Sequence, residues 1–187
     1  MLARAIDEVP ACLPEPGTLP AFDRIFADHA PLVWRALRRL GVRAPDIEDV
    51  CQEVFATVHR KLPSFDGRST LSTWIYGICV RTAWNHRRQM RRRREELTDA
   101  PPEQGVEAPQ IQAIEQRDAY ALVDEVLDAL DDEKRAVFVL YEIEELSMKD
   151  VARAVGCMLP TAYARLYAAR RQFEAALRRA GAAGRLP

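Results

Sequence analysis

The stretch from Arg81 to Arg94 contains seven arginines and no acidic residue. One or two arginines would suit the negative end of a helix dipole, but that effect acts over the last turn only and does not account for seven. A solvent-exposed helix face rarely omits counter-charges so completely. The composition therefore favours a polyanion as the partner of this segment.

A second segment, from Ser147 to Arg171, has the spacing of a helix-turn-helix. The Ser147 hydroxyl can cap a short helix, and Gly156 can end it because glycine adopts a positive φ at little cost. Pro160 suits the first turn of the following helix, where a missing backbone N–H does no harm. The pattern is typical of a DNA-reading helix-turn-helix, although an ordinary helical hairpin would share it.

Nothing in the sequence indicates catalysis or a cofactor. It has no glycine-rich phosphate loop, no metal-ligand spacing and no nucleophile paired with a base, and its three histidines are isolated. Cys51 and Cys79 fall on apolar helix faces, as buried thiols in a reducing compartment do. No apolar run reaches about 18 residues, the length of a membrane-spanning helix. We therefore expect a cytoplasmic protein that is not an enzyme, has no cofactor or metal, and does not insert into membranes.

The hydrophobic periodicity predicts an all-α protein, because no strand-like alternation of useful length occurs. Three helices are expected in the first half, at residues 21–40, 45–61 and 71–94. Pro31 lies inside the first and predicts either a kink or two abutting helices.

Charge divides the chain into two parts. From Glu95 to Asp118 seven acids and three prolines accompany a single arginine, a composition typical of a linker. Beyond it, acidic helices precede a basic last helix, and Asp132 is expected to cap one of them. The predicted organisation is a disordered leader at 1–20, a domain at 21–94, a flexible acidic linker at 95–116, a four-helix domain at 117–180 and a tail at 181–187.

The order of these features resembles the extracytoplasmic-function (ECF) group of the bacterial σ70 family of RNA polymerase sigma factors. The resemblance rests on DIEDVCQEVF, FDGRSTLSTWIYGICVRTAWN, ALDDEKRAVFVLYEIEELSMKDVARAVG and TAYARLYAAR, which occur in the family's order. It implies a σ2-like three-helix domain and a σ4-like four-helix domain. It also implies a function, which is to bind core RNA polymerase, direct it to a subset of promoters and begin strand opening.

The resemblance implies three kinds of partner: core RNA polymerase, contacted at its β′ clamp helices and β flap, promoter DNA, and an anti-sigma factor. In the family the second helix docks on the clamp helices. Acids on this helix could pair with arginines of the polymerase and steer docking. The matching exposed positions are Asp46, Glu48, Asp49, Gln52 and Glu53.

The loop before the third helix, together with that helix, looks like the reader of the −10 element. Opening a promoter requires bases to be held outside the stack by pockets, aromatic platforms and positive charge. Arg81 stands where the family often has asparagine, which changes the expected base pocket. The implied contacts are Phe65, Arg68, Ser69, Thr70, Trp74, Tyr76, Arg81, Asn85, Arg87 and Arg88.

The final helix resembles the reader of the −35 element. Ala164 and Ala168 stand where the family usually has serine and arginine, and alanine cannot hydrogen-bond to base edges. We therefore expect readout through DNA shape and phosphates. The positions expected to face DNA are Arg135, Thr161, Tyr163, Ala164, Arg165, Ala168 and Arg171. A helical projection places Ala162, Leu166, Ala169, Phe173 and Leu177 inward.

Two other functions remain compatible with the residues. A conventional helix-turn-helix regulator would explain the C-terminal motif but leave the aromatic loop and the arginine-rich helix without a role. An adaptor that binds polymerase or an anti-sigma factor, without promoter activity, would fit the alanines of the last helix.

Overall fold

The computed structural model describes residues 21–96, 123 and 126–182. Within these ranges the chain forms helices and turns and no strand, which confirms the all-α prediction. The predicted leader, linker and tail lie outside the described residues for most of their length. The main helices are α1 (Phe22–Arg39), α2 (Ile47–Lys61), α3 (Leu71–Glu96), α4 (Asp132–Phe138), α5 (Met148–Val155) and α6 (Leu159–Ala182).

Helices α1, α2 and α3 pack on one another through apolar stripes. The stripe of α2 buries Ile47, Val50, Val54, Phe55 and Val58, as helical spacing predicts. α1 is one continuous helix, so the expectation of two abutting helices is wrong. Its proline, Pro31, is exposed, as is Ala27 one turn earlier. Water can therefore satisfy the Ala27 carbonyl that the proline leaves without a donor.

Helices α4, α5 and α6 form the second packed unit. α4 continues into a π-helical turn at Val139–Ile143, and α5 and α6 follow as a helix-turn-helix. The Ser147 hydroxyl accepts a hydrogen bond from the Asp150 N–H at 3.2 Å, which confirms the predicted cap of α5. Gly156 ends α5 in the left-handed conformation, with φ at +76°, a conformation that only glycine adopts routinely.

The cap of α4 differs from the prediction. Asp131, not Asp132, is the N-cap, since its Oδ1 accepts a hydrogen bond from the Lys134 N–H at 2.9 Å. Sequence alone does not separate two adjacent aspartates at a helix start, because either could cap it. The side chain of Asp132 is consequently available for a contact elsewhere in the fold.

The two units share one apolar core. Buried residues of α1, α2 and α3 form a continuous cluster with those of α4, α5 and α6. α3 and α5 approach closely at Gly77, where an added Cβ would lie 3.2 Å from the Ala154 carbonyl oxygen and 3.4 Å from the Ala154 Cα. Among the described residues no helix combines the length and the apolar character needed to cross a bilayer.

Candidate nucleic-acid interfaces

The basic half of α3 presents a row of polar side chains to solvent. Arg81, Asn85 and Arg88 are exposed, and they recur at the three- to four-residue spacing of one helix side. Burial of part of the Arg81 side chain lowers the pKa of its guanidinium, although arginine remains charged at neutral pH. This row can hold phosphates at a fixed spacing. Arg87, from the same predicted set, is largely covered and contacts the second unit.

The loop before α3 carries an aromatic pair. The Phe65 ring packs against the Trp74 ring with centroids 5.2 Å apart, and both rings are partly exposed. Arg68 is exposed and forms an ion pair with Asp66 at 3.1 Å. Thr70, also exposed, accepts a hydrogen bond from the Thr73 N–H at 3.1 Å and so begins α3. Ser69 is half-buried beside it. The loop therefore offers two aromatic surfaces next to a cation, the combination that stacks and neutralises single-stranded DNA.

Tyr76 is placed differently from the expectation that it lines the −10 surface. Its side chain is buried, and its hydroxyl donates a hydrogen bond to Glu144 Oε2 at 2.5 Å. Burial, reinforced by this hydrogen bond, raises the pKa of Tyr76 well above its ordinary range. In this arrangement Tyr76 contacts the second unit of the protein and is not available to a base.

Helix α6 presents the second candidate interface. Thr161, Tyr163, Ala164 and Arg171 are exposed, and Ala168 is half-buried. The opposite side packs inward, as the helical projection predicts. The Phe173 and Leu177 side chains are half-buried, and the Phe173 ring stacks on the Phe138 ring with centroids 4.6 Å apart. The other three of the five predicted side chains are buried. The buried three are Ala162, Leu166 and Ala169.

Arg165 and Arg135 each have a partner within the protein. Arg165 Nη2 lies 2.6 Å from Glu133 Oε2 at the edge of the α6 surface. Arg135 was expected to contact DNA, but it is only 1% exposed. Its Nε donates to the Arg39 carbonyl at 2.6 Å, and its guanidinium also pairs with Asp128. In this arrangement Arg135 connects the two units and cannot reach DNA.

The acidic side of α2 is open to solvent. Glu48, Asp49, Gln52 and Glu53 are exposed. Asp46, just before the helix, is half-buried, and its Oδ2 lies 3.3 Å from His86 Nε2. Four of the five predicted positions thus form one polar surface that a protein partner can reach.

Three acids that sequence reasoning did not identify contact the basic surface of the first unit. Asp132 lies between Arg87 and Arg91, at 2.7 Å and 2.6 Å respectively. Glu144 lies 2.5 Å from Arg39 Nη1. Asp128, the third acid, lies 3.9 Å from Arg87. In the sequence, the second unit has an excess of acids, but this excess does not indicate which arginines the acids contact. Among the described residues no group of His, Cys, Asp and Glu side chains could hold a metal ion.

These features define an all-helical protein with a basic, aromatic-flanked helix and a separate helix-turn-helix. Two family models match the chain. The model of sigma-70 region 2 matches residues 25–94, and that of sigma-70 region 4 matches residues 120–173. The first match includes the arginine-rich helix, and the second includes the helix-turn-helix.

Two relatives match most of the chain. The chain is 30% identical over 168 residues to the ECF RNA polymerase sigma-E factor of Haemophilus influenzae, covering 84% of this chain and 88% of the relative. It is 29% identical over 172 residues to the RNA polymerase sigma-H factor of Pseudomonas aeruginosa, covering 86% and 88%. The chain belongs to the ECF group of the σ70 family.

Solved structures share the fold. The sigma factor RpoE in complex with the anti-sigma factor NepR, from Bartonella quintana, matches with a TM-score of 0.67 at 20% identity, covering 84% of this chain and 96% of that one. CnrH in complex with the cytosolic domain of CnrY matches with a TM-score of 0.61 at 23% identity, covering 83% and 86%.

Proposed function

We propose that this chain is an alternative sigma factor that binds core RNA polymerase, directs it to specific promoters and begins their opening. The observation that carries the proposal is the presence, in one chain of this family, of two separate surfaces suited to DNA. One is the basic side of α3 with its aromatic loop, and the other is the exposed side of α6. Each matches a different sigma-70 region.

The first surface is proposed to read the −10 element within a domain at residues 21–94. Phe65 and Trp74 supply partly exposed rings on which an unstacked base can lie. Arg81, Asn85 and Arg88 hold the backbone of the separated strand nearby. Trapping bases outside the duplex stabilises the open form, so opening needs no covalent chemistry from this chain.

The second surface is proposed to read the −35 element within a domain at residues 117–180. Arg165 and Arg171 supply charge, while Ala164 and Ala168 can contact a thymine methyl group but cannot form bidentate hydrogen bonds. Specificity then comes largely from DNA shape and phosphate positions. Restoring arginine at Ala168 would shift the preferred −35 sequence.

Attachment of both domains to one polymerase explains how two surfaces that each bind DNA weakly can together bind a promoter selectively. A protein that neutralises about six phosphates has a log–log salt slope near −5, so either surface alone binds weakly at physiological salt. Once both are fixed to one polymerase, the second contact becomes intramolecular and its effective concentration rises. The polymerase therefore supplies the missing affinity. We propose the cytoplasm, where polymerase acts, as the location.

The acidic side of α2 is the proposed polymerase-binding surface, directed at the β′ clamp helices, with the β flap as the contact of the second domain. One of the solved neighbours is a sigma factor in complex with an anti-sigma factor. An anti-sigma factor is accordingly the proposed regulatory partner here.

The polymerase contact can be tested by direct binding. Core enzyme is titrated into labelled protein, and the fluorescence anisotropy is followed for wild type and for Asp49→Arg. The matched control is Asp28→Arg, because Asp28 is another exposed acid and lies on α1. We expect Asp49→Arg to weaken binding at least tenfold while Asp28→Arg binds normally. Equal binding by all three proteins would remove α2 from the interface.

A further inference from the structure

A cavity of about 320 Å³ lies between the turn that joins α1 to α2 and the C-terminal half of α3. This volume is at the small end of the range for small-molecule sites. Four arginines line the cavity, against two aspartates, Asp46 and Asp128. An excess of fixed positive charge in a concave site attracts and concentrates anions. The cavity is therefore suited to a small anionic ligand.

The arginines of this cavity lie on a different side of α3 from the exposed row that begins at Arg81 and is proposed to hold promoter phosphates. Each helical residue turns the side-chain direction by about 100°, so Arg87, Arg91 and Arg94 are centred about 120° around the helix from that row. All three line the cavity. A DNA strand held on the row does not occupy this second side, and the proposed function gives Arg91 and Arg94 no role.

Contacts within the protein use only part of the hydrogen-bonding capacity of these arginines. Asp132 lies 2.7 Å from Arg87 and 2.6 Å from Arg91. A guanidinium has five N–H donors, and the Arg91 side chain is 54% exposed, so some of its donors remain accessible. Arg94 is exposed too, and so is Arg43, which has no acidic partner among the described residues. The cavity can therefore accept an anion while Asp132 keeps its contacts.

The two aspartates of the cavity already have partners. Asp46 Oδ2 lies 3.3 Å from His86 Nε2, and Asp128 pairs with Arg135. These contacts reduce the repulsion that an incoming anion meets. The inner wall is also held in place, because Arg87 Nη1 donates to the Gly41 carbonyl at 3.4 Å. A site whose charged groups are already ordered loses less side-chain freedom when a ligand binds.

We propose that this cavity binds a pyrophosphate group, either as free inorganic pyrophosphate or as part of a nucleoside diphosphate. Arg43, Arg91 and Arg94 contact the two linked phosphates, since planar guanidinium groups bind phosphate oxygens in pairs. A single phosphate carries less charge and engages fewer of these arginines. A DNA strand carries one charge per phosphate along an extended backbone, so it places less charge within the cavity. The site is separate from both proposed DNA surfaces, and the inference does not depend on the proposed function.

Isothermal titration calorimetry of the full chain, at physiological salt and without polymerase or promoter, tests the site. The ligands are inorganic pyrophosphate, ADP, orthophosphate and sulfate. We expect saturable binding of pyrophosphate or ADP at one site, at least about tenfold tighter than that of orthophosphate or sulfate, because two linked phosphates engage more guanidinium groups. The tighter of the two ligands identifies the free or the nucleotide form. Failure of both to bind, or binding no tighter than that of orthophosphate, would overturn the proposal.

Arginine variants show whether the ligand lies in the cavity. Arg43→Ala and Arg94→Ala should each weaken pyrophosphate binding at least about fivefold, because each removes a charge-assisted contact. The matched control is Arg92→Ala, because Arg92 is exposed on α3 but does not line the cavity. It should bind pyrophosphate within about twofold of wild type, since exposed charges at a distance are screened by salt. Equal losses in all three variants would show a diffuse effect of net charge and would overturn the proposal.

A steric variant tests the same site without a change of charge. Met90 lines the cavity and is half-buried, so Met90→Trp should fill part of it and abolish pyrophosphate binding. Circular dichroism checks that each variant keeps its helices. Binding of a short single-stranded DNA is measured in parallel. If Arg43→Ala and Arg94→Ala weaken DNA binding but leave pyrophosphate binding unchanged, the cavity belongs to the DNA surface and the proposal is wrong.

Discussion

Arg87 Nε and Asp132 Oδ1 lie 2.7 Å apart across the boundary between the two helical units. The pair is an ionic contact and lacks the alignment of a good hydrogen bond. It places a residue of the basic helix against a residue at the start of α4. The same guanidinium is therefore a candidate ligand for DNA phosphate and an existing partner of a carboxylate.

Arg165 provides a test of the −35 surface. Replacing it with alanine removes one phosphate contact, so binding to a −35 duplex in the presence of polymerase should weaken and the log–log salt slope should become shallower by about 1. Arg178→Ala is the matched control, because Arg178 is exposed on the same helix but lies beyond the proposed contact. Footprinting over a salt series measures both variants. An unchanged −35 footprint in Arg165→Ala would contradict the assignment.

Gly41 provides a test of the packing at the end of α1. Gly41 has φ at +88° and lies against Arg87, so alanine there combines backbone strain with a steric clash. Gly67 has φ at +69° with no atom within 4 Å of an added Cβ, so its replacement by alanine reports strain alone. Strain should cost about 1–2 kcal/mol in either variant, and Gly41→Ala should lose more. Urea denaturation compares them. Equal losses would show that Arg87 moves aside freely.

The cap of α5 predicts a stability difference. Ser147→Ala removes the hydroxyl that accepts from the Asp150 N–H, and it should lower the free energy of unfolding by about 1 kcal/mol. Ser147→Asn keeps an acceptor at the cap and should stay near wild type. Thermal unfolding of the three proteins measures the effect. If asparagine and alanine prove equally destabilising, the loss does not come from the cap.

Because the Cys79 thiol is buried, we expect the protein to lose stability at alkaline pH. Burial raises the pKa of the Cys79 thiol, whereas the unfolded thiol ionises near pH 8.5. Below about pH 8 the thiol is protonated in both states, and stability does not depend on it. Above that pH the unfolded state loses the proton while the folded state keeps it, so the free energy of unfolding falls by up to about 1.4 kcal/mol per pH unit. Cys79→Ala should show a smaller alkaline slope. Equal slopes would mean that other groups control the transition.

Local features of this fold follow from local sequence. The Ser147 cap and the Gly156 terminus each depend on neighbours within a few residues, so their residue types suffice to predict them. The inward side of α6 follows from helical periodicity in the same way. The prediction of the two DNA-facing surfaces depended on the family resemblance. Charge alone indicates a polyanion partner, whereas the family motifs indicate that the partner is promoter DNA.

The contact between the units could not be predicted in this way. Asp132 resembles a cap in sequence, yet its neighbour Asp131 caps the helix and Asp132 binds arginines of α3. Arg135 resembles a DNA contact, yet it is buried against the Arg39 carbonyl. Each outcome depends on which partner the tertiary fold brings near, and several acids and arginines of this chain were equivalent candidates by charge.

Promoter-dependent run-off transcription is the decisive test of sigma-factor activity in this chain. Purified chain is combined with core RNA polymerase and a library of genomic promoter fragments, and transcripts are mapped to their start sites. We expect transcripts that begin downstream of a shared pair of −10 and −35 sequences and that disappear when the chain is omitted. A stable complex with core polymerase that yields no promoter-specific transcript would contradict this expectation.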